Sequence, residues 1–422
     1  MSKKQVIFLY GIFLLACINL FYVVWFFMNH RYLPAPFVYD KENTFMDFYN
    51  TLYWSGRDGI YSVWESVYPP LSFLFLQGYQ ILFTDDLSRF TDGFDIRHAL
   101  GSDIFPLLGI YIASLLISVG ISFRSMVDRK TQVIIFLIFL ISPPFLFALE
   151  RGNLIILSLP ILSWFIFTTR QISKAMALAI LINLKPYFVI FYVIQLLNVK
   201  THKEQKDFLF LAPVFTAIIF LSTGLLLGQE FYLMPINLLG FATNRTLLSP
   251  SDVLSFPSSL ASYAYLRGLI TEFSIPSFLG YFSKAIIYLY LIKSALVIFK
   301  AKVDCDDLAI FSVIFITNYS ISTGGYGILY YIPIIAILYK QKYYAFISFN
   351  ALIFVGIWDL IPIYRLNSVV MDVYLSSEKI QIDAYIGFGS ILRPLFNLCI
   401  LILFFANLKN KYLNDKIKIK TK

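Results

Sequence analysis

Charged residues are few in this chain: Asp, Glu, Lys and Arg make up 14% of 422 residues. With 59% hydrophobic residues and a mean hydropathy of +0.73, too little polar surface remains to clothe a soluble domain. Cysteine is scarce as well. Cys17, Cys305 and Cys399 have neither metal-ligand spacing nor the look of a disulfide framework. His30 and His98 stand alone, so no histidine metal site is expected and no metal is assigned. The chain has no Rossmann-type glycine pattern, no Walker motif and no internal repeat, which argues against a nucleotide-binding fold or a solenoid. The net charge of +9 does not point to nucleic acid, because the basic residues sit in short polar segments between apolar runs. What the chain has in quantity is long apolar runs and 18% aromatic residues, with many tyrosines at the ends of those runs, where bilayer anchors lie. These features describe a polytopic protein of the lipid bilayer.

Taken in order, Met1 to Lys4 is basic and residues 5–28 form a first spanning helix, which reads as a retained anchor because no small-residue cleavage site follows. Residues 30–103 form a long first external loop, acidic in its second half at Asp85, Asp86, Asp92, Asp95 and Asp103. Within it, residues 71–83 are apolar but short for a crossing, and lysine and arginine bias places them in the interface. Crossings follow over 104–123, 132–149 and 154–168. Residues 175–198 have basic flanks on both sides and one break, Lys185-Pro186. A chain that leaves and returns there must be a broken hairpin with Lys185 at its tip, lining a cavity. Residues 208–228 go out to a second external segment, 229–278, and 279–299 return. Two later pairs, 308–323 with 328–339 and 343–364 with 386–407, lead to a basic cytoplasmic tail over 409–422. The expected fold is all-α, with both termini cytoplasmic and twelve crossings when the short pair is included, about 11–12 in all.

The chain is organised around residues 43–70, NTFMDFYNTLYWSGRDGIYSVWESVYPP. Asp47, Asn50 and Thr51 share one face of a short helix, and Phe45, Phe48, Leu52 and Tyr53 share another that can face lipid. Gly56 and Gly59 end this helix, and Tyr68-Pro69-Pro70 starts the next element. An ionisable group inside an apolar run is functional by default, which singles out Lys185. Arg151 follows Glu150 at a helix junction and reads equally as half of a structural pair. Tyr68 reads more readily as an interfacial anchor than as a ligand contact. Arg245 and Arg267 are phosphate contacts to consider in the second external segment, with solvated alternatives. Asp40, Glu42 and Asp58 read as solvated carboxylates. Asp359 and Arg365 read as interfacial, and Arg393 as facing inward.

Three blocks resemble glycosyltransferase family 87, membrane enzymes of the GT-C class. Asp47-Phe48-Tyr49 with Tyr68-Pro69-Pro70 looks like the family's external-loop signature. Arg151-Gly152-Asn153-Leu154 is followed by Leu184-Lys185-Pro186-Tyr187. Residues 321–333, ISTGGYGILYYIP, look like a degenerate form of its late block, with Gly324 and Gly325 where bulkier residues are expected. The resemblance covers most of the length in order, apart from 229–278. It implies a GT-C-like bundle with interfacial helices in the first external loop, sited in a bacterial inner or plasma membrane with its active site extracytoplasmic. It also implies a polyprenyl-phosphate sugar donor, a glycolipid or glycan acceptor, and an external-loop aspartate as base, which maps to Asp47. Mannose is the sugar most associated with the family, but no residue here selects it. The donor contacts would come from Lys185, Arg151, Tyr68, Arg245 and Arg267, with no cofactor needed. The competing readings are a lipid-linked sugar flippase or transporter, which predicts paired broken helices in two repeats, and an oligosaccharide polymerase, which more usually has its large loop later.

Overall fold

The computed structural model describes residues 3–37, 44–83, 87–99, 101–198, 205–244, 277–301, 303–319, 325–365, 368–373, 378–383 and 385–414. The chain is mainly helical. The helices of the first half are α1 (Lys3–His30), α2 (Met46–Ser55), α3 (Pro70–Phe83), α4 (Gly93–Ala99), α5 (Phe105–Phe123), α6 (Arg129–Leu140), α7 (Pro143–Glu150), α8 (Ile155–Phe167), α9 (Gln171–Leu184) and α10 (Val189–Leu197). Those of the second half are α11 (Lys206–Leu227), α12 (Met234–Asn244), α13 (Ser277–Lys300), α14 (Cys305–Tyr319), α15 (Tyr331–Lys340), α16 (Tyr344–Phe354) and α17 (Gly389–Lys409).

Among the described residues, four helical stretches are long and apolar enough to cross a membrane alone: Gln5–His30, Phe105–Phe123, Lys206–Leu227 and Gly389–Tyr412. α6 and α7 meet the same measure only as a pair, bent by 54°, the geometry of a broken span or of a re-entrant loop. The other apolar helices, among them α3, α8 and α9, are shorter, so of the twelve crossings expected with the short pair included, four or five are long enough for a full span among the described residues. The bend has a local cause. Pro143 and Pro144 offer no amide hydrogens to continue the α6 ladder, and the Ser142 hydroxyl instead donates to the Phe139 carbonyl at 2.7 Å. Asp128 starts α6 as an N-cap, accepting from the Thr131 amide at 3.0 Å.

Side-chain contacts fix which helix ends lie together. At one end, called here the loop end, α2, the α7–α8 junction and the α9–α10 break meet. At the other, Lys411 binds Asp304 and Asp307, Lys340 reaches Asp306, and Asn198 donates to the Val303 carbonyl. Lys174, near the start of α9, lies over the rings of Phe165 and Phe208, and the Tyr192 hydroxyl in α10 donates to the Leu209 carbonyl. α9 therefore climbs to the loop end and α10 descends beside the foot of α11, as a broken hairpin requires. Small hydroxyl residues tie the helices together: Ser118 and Ser122 of α5 share the Ser163 hydroxyl of α8. Tyr331, Thr317 and Asn397 form a buried network joining α15, α14 and α17.

Three features depart from the sequence reading. Most of the apolar face of α2 is covered by protein: Phe45, Phe48 and Leu52 are buried, packed with α3, α4 and the α7–α8 junction, and Tyr53 is half-buried against Trp64 and Arg57. Between α16 and α17 lie two antiparallel ribbons in place of plain loop, β1 (Pro362–Arg365) with β4 (Tyr385–Gly387) and β2 (Val369–Asp372) with β3 (Lys379–Ile382). Asp359 is not interfacial but buried, ion-paired with the equally buried Arg393, and Arg393 does face inward. The glycine-rich stretch is a 3₁₀ turn over Gly325–Tyr330 that leads directly into α15.

Candidate functional site

Asp47 lies in the first turn of α2, where the unpaired amides of a helix favour a carboxylate. The start of this helix is docked onto the α7–α8 junction by main-chain bonds. The Phe45 amide donates to the Glu150 carbonyl at 2.7 Å, and the Asp47 amide donates to the Arg151 carbonyl at 3.1 Å. Phe45 itself has φ 59°, a left-handed conformation costly for a bulky side chain and tolerated where the surroundings over-determine it. Gly152 allows the close approach. Its φ is +66°, and a Cβ there would lie 2.7 Å from the Phe48 Cβ. The Tyr111 hydroxyl from α5 donates to the Gly152 carbonyl at 2.9 Å, and the Thr44 hydroxyl donates to the buried Glu150 carboxylate at 2.8 Å.

This docking places the Asp47 carboxylate between two side chains from the same junction. Arg151 donates to Oδ1 at 2.8 Å and Asn153 donates to Oδ2 at 2.6 Å. The Asn153 carbonyl oxygen also accepts the Ile155 amide at 2.9 Å, capping α8 and locking its own rotamer. The Asp47 and Arg151 side chains keep 20% and 17% of their surface. The carboxylate is thus fixed in direction but open on one side.

Lys185 is the second charged group. The proline that follows holds it in an extended conformation, φ −144° and ψ 112°, and so ends α9. The Ser72 hydroxyl at the start of α3 donates to the Leu184 carbonyl at 3.1 Å and fixes the break against the loop. The Lys185 ammonium lies 4.0 Å from the centre of the Tyr68 ring, a cation–π contact, and within electrostatic reach of Asp47. Among the described residues it makes no hydrogen bond or ion pair. Tyr68 meets the lysine with its ring face. Its amide donates to the Ser66 hydroxyl at 3.2 Å, and its carbonyl accepts from Tyr61 at 3.1 Å.

Asp47, Arg151, Lys185 and Tyr68 therefore come together from four separate parts of the chain. Arg245 and Arg267 lie outside the described residues, as do Asp40, Glu42, Gly324 and most of the second external segment. Asp58 accepts a 3.3 Å bond from Gln229 and belongs to the loop end's tertiary ties. The site also has members that sequence reasoning did not assign. Asn153 stood in a quoted block, but its bond to Asp47 is not a local property. Tyr187, Tyr330 and Ser158 carry a hydroxyl chain beside Lys185, with 2.5 Å between the two tyrosine oxygens and 3.3 Å from Ser158 to Tyr330. No group of three or more His, Cys, Asp or Glu side chains converges to hold a metal among the described residues. A cavity of about 470 Å³ does open elsewhere, lined almost wholly by apolar side chains from the far ends of α1, α5 and α15 with α6 and α16; it does not include these residues.

No protein-family model matches the chain, and no curated protein or solved structure shows significant similarity to it.

Proposed function

We propose that the protein is a membrane glycosyltransferase. It transfers a hexose from a polyprenyl-phosphate sugar to a glycolipid or polysaccharide acceptor, with Asp47 as general base. The observation that carries this reading is the arrangement at the loop end: a carboxylate aimed by Arg151 and Asn153, within electrostatic reach of a buried lysine that makes no ion pair among the described residues. The resemblance of the blocks at Asp47, Arg151 and Lys185 to glycosyltransferase family 87 supports the same reading. An acceptor hydroxyl attacks the anomeric carbon and gives its proton to Asp47, an effect typically worth about 10²–10⁴ in rate. The lipid phosphate leaves toward Lys185, whose charge stabilises the developing oxyanion. In this reading the loop end is extracytoplasmic, and the lysine-bearing opposite end is cytoplasmic, following the excess of basic residues there.

Purified protein is to be given a short-chain polyprenyl-phosphate sugar and an acceptor extract, comparing the wild type with Asp47→Ala and Asp47→Asn. Transfer by the wild type and its loss in both variants is expected. Full transfer by both variants removes Asp47 from the chemistry. Movement of the intact lipid-linked sugar across liposomes without transfer replaces the enzyme with a transporter.

A further inference from the structure

The hydroxyl chain beside Lys185 has an unequal stock of donors and acceptors. Tyr187, Tyr330 and Ser158 each have one O–H. The single Ser158 proton is shared between two acceptors, the Ile155 carbonyl at 2.5 Å and the Tyr330 oxygen at 3.3 Å. The Tyr330 and Tyr187 oxygens are 2.5 Å apart, so either can be the donor. Two arrangements follow. In the first, Tyr187 donates to Tyr330, and because Ser158 is also a donor to that oxygen, the buried Tyr330 proton finds no acceptor in the chain. In the second, Tyr330 donates to Tyr187, and the Tyr187 proton is released for a new partner. Tyr187 retains some exposed surface, whereas Tyr330 and Ser158 are fully buried, so the free end of the chain is Tyr187. Tyr187 is two residues from Lys185, on the same proline-made break, and lies within electrostatic reach of Tyr68, the residue that stacks on that lysine.

We infer that Tyr187 is a catalytic hydrogen-bond donor to the oxyanion released beside Lys185, with Tyr330 and Ser158 as its positioning residues. This rests on the sugar-transfer reading of the Asp47 site. In that step the acceptor oxygen bonds to the anomeric carbon, the bond from that carbon to the phosphate oxygen breaks, and the acceptor proton passes to Asp47. The electron pair of the broken bond stays on the phosphate oxygen, so a singly charged phosphodiester becomes a doubly charged phosphomonoester. Lys185 supplies one positive charge. The extra negative charge attracts the Tyr187 proton, which the second arrangement already leaves free of the chain. No proton is transferred from the relay, and a neutral donor fixed where charge develops favours the transition state over the bound donor.

The test uses full-length wild type, Tyr187→Phe and Tyr330→Phe, each checked for unchanged thermal unfolding. The probes are farnesyl phosphate, a doubly charged monoester, and farnesyl methyl phosphate, a singly charged diester. Tyr187→Phe should weaken farnesyl phosphate binding about tenfold or more and leave the diester within about twofold. Its single-turnover transfer rate should fall by about 10²-fold with little change in the KM for donor sugar. Tyr330→Phe should shift both readouts the same way by a smaller factor. Equal weakening of both probes, or wild-type transfer by Tyr187→Phe, overturns the relay. If the wild type discriminates between the probes through Tyr187 yet transfers no sugar, the relay stands as an anion site and the transferase reading falls.

Discussion

Asp47 has both oxygens engaged, yet a carboxylate offers about four lone-pair directions, and Arg151 and Asn153 occupy one on each oxygen. The Asp47 side chain keeps 20% of its surface, so protein does not close it completely. This gives Asn153 a testable role as the group that sets the angle of the proposed base. Asn153→Ala should lower the single-turnover rate by about 10²-fold while donor KM stays nearly constant, since a small misplacement of a reacting group has an effect of that order. Arg151→Lys should not rescue Arg151→Ala fully, because an ammonium lacks the planar fork that holds a carboxylate's direction. Gly152 is the most sensitive position. Gly152→Ala puts a side chain in left-handed backbone, at about 1–2 kcal/mol, and against the Phe48 Cβ as well. It should lower the unfolding temperature and the activity together. Not all of this was legible in the sequence. Asp47, Arg151 and Lys185 each carried a local sign: a charge on a short helix, a glycine-linked junction, a cation before a proline in an apolar run. The bond from Arg151 to Asp47 spans 104 residues, and no local pattern states it. Tyr330 lay within the quoted block over 321–333, but nothing singled it out there, since an aromatic residue in an aromatic-rich run looks the same whether it packs or donates.

At the scale of elements, α2 owes its position to burial as much as to hydrogen bonds. Phe48 packs edge-on against Tyr49 and Tyr79 and is almost fully buried. Phe48→Ala should cost about 3 kcal/mol and loosen Asp47, measurable as a lower unfolding temperature and faster amide exchange over α2. Periodicity in the sequence finds the apolar face of this helix but cannot say whether lipid or protein covers it. In the fold it is protein, because the α7–α8 junction folds over the helix start. The ribbons between α16 and α17 were missed for a related reason: strands of three or four residues are too short to establish an alternating pattern. The Asp128 cap offers a pH test. Hydrogen bonds from Thr131 hold its carboxyl below the usual carboxylate range. Its contribution is therefore complete above that range and is lost as pH falls through the lowered folded value. Asp128→Ala should speed exchange of the Thr131 amide at neutral pH, whereas in wild type the same amide should loosen only in strong acid.

For the whole molecule, the hydrogen bonds and ion pairs sort the helix ends into two sets, and the proposed chemistry needs the loop end outside. Composition already identified a bilayer protein, because charge is too sparse for any other solvent. It could not give the number of full crossings, since helices such as α8 and α9 are apolar but short and survive by packing on one another. In a background with Cys17, Cys305 and Cys399 replaced by serine, Ser62→Cys at the exposed loop end should react with an impermeant maleimide on intact cells. Ser125→Cys, exposed beyond α5 at the other end, should react only after permeabilisation. The reverse pattern would turn the site toward the cytoplasm. The most direct test of the account is single-turnover sugar transfer by Asp47→Asn, with its thermal unfolding and donor binding measured in parallel. Wild-type stability and donor affinity with transfer reduced by about 10²–10⁴ is the predicted result; transfer at the wild-type rate contradicts it.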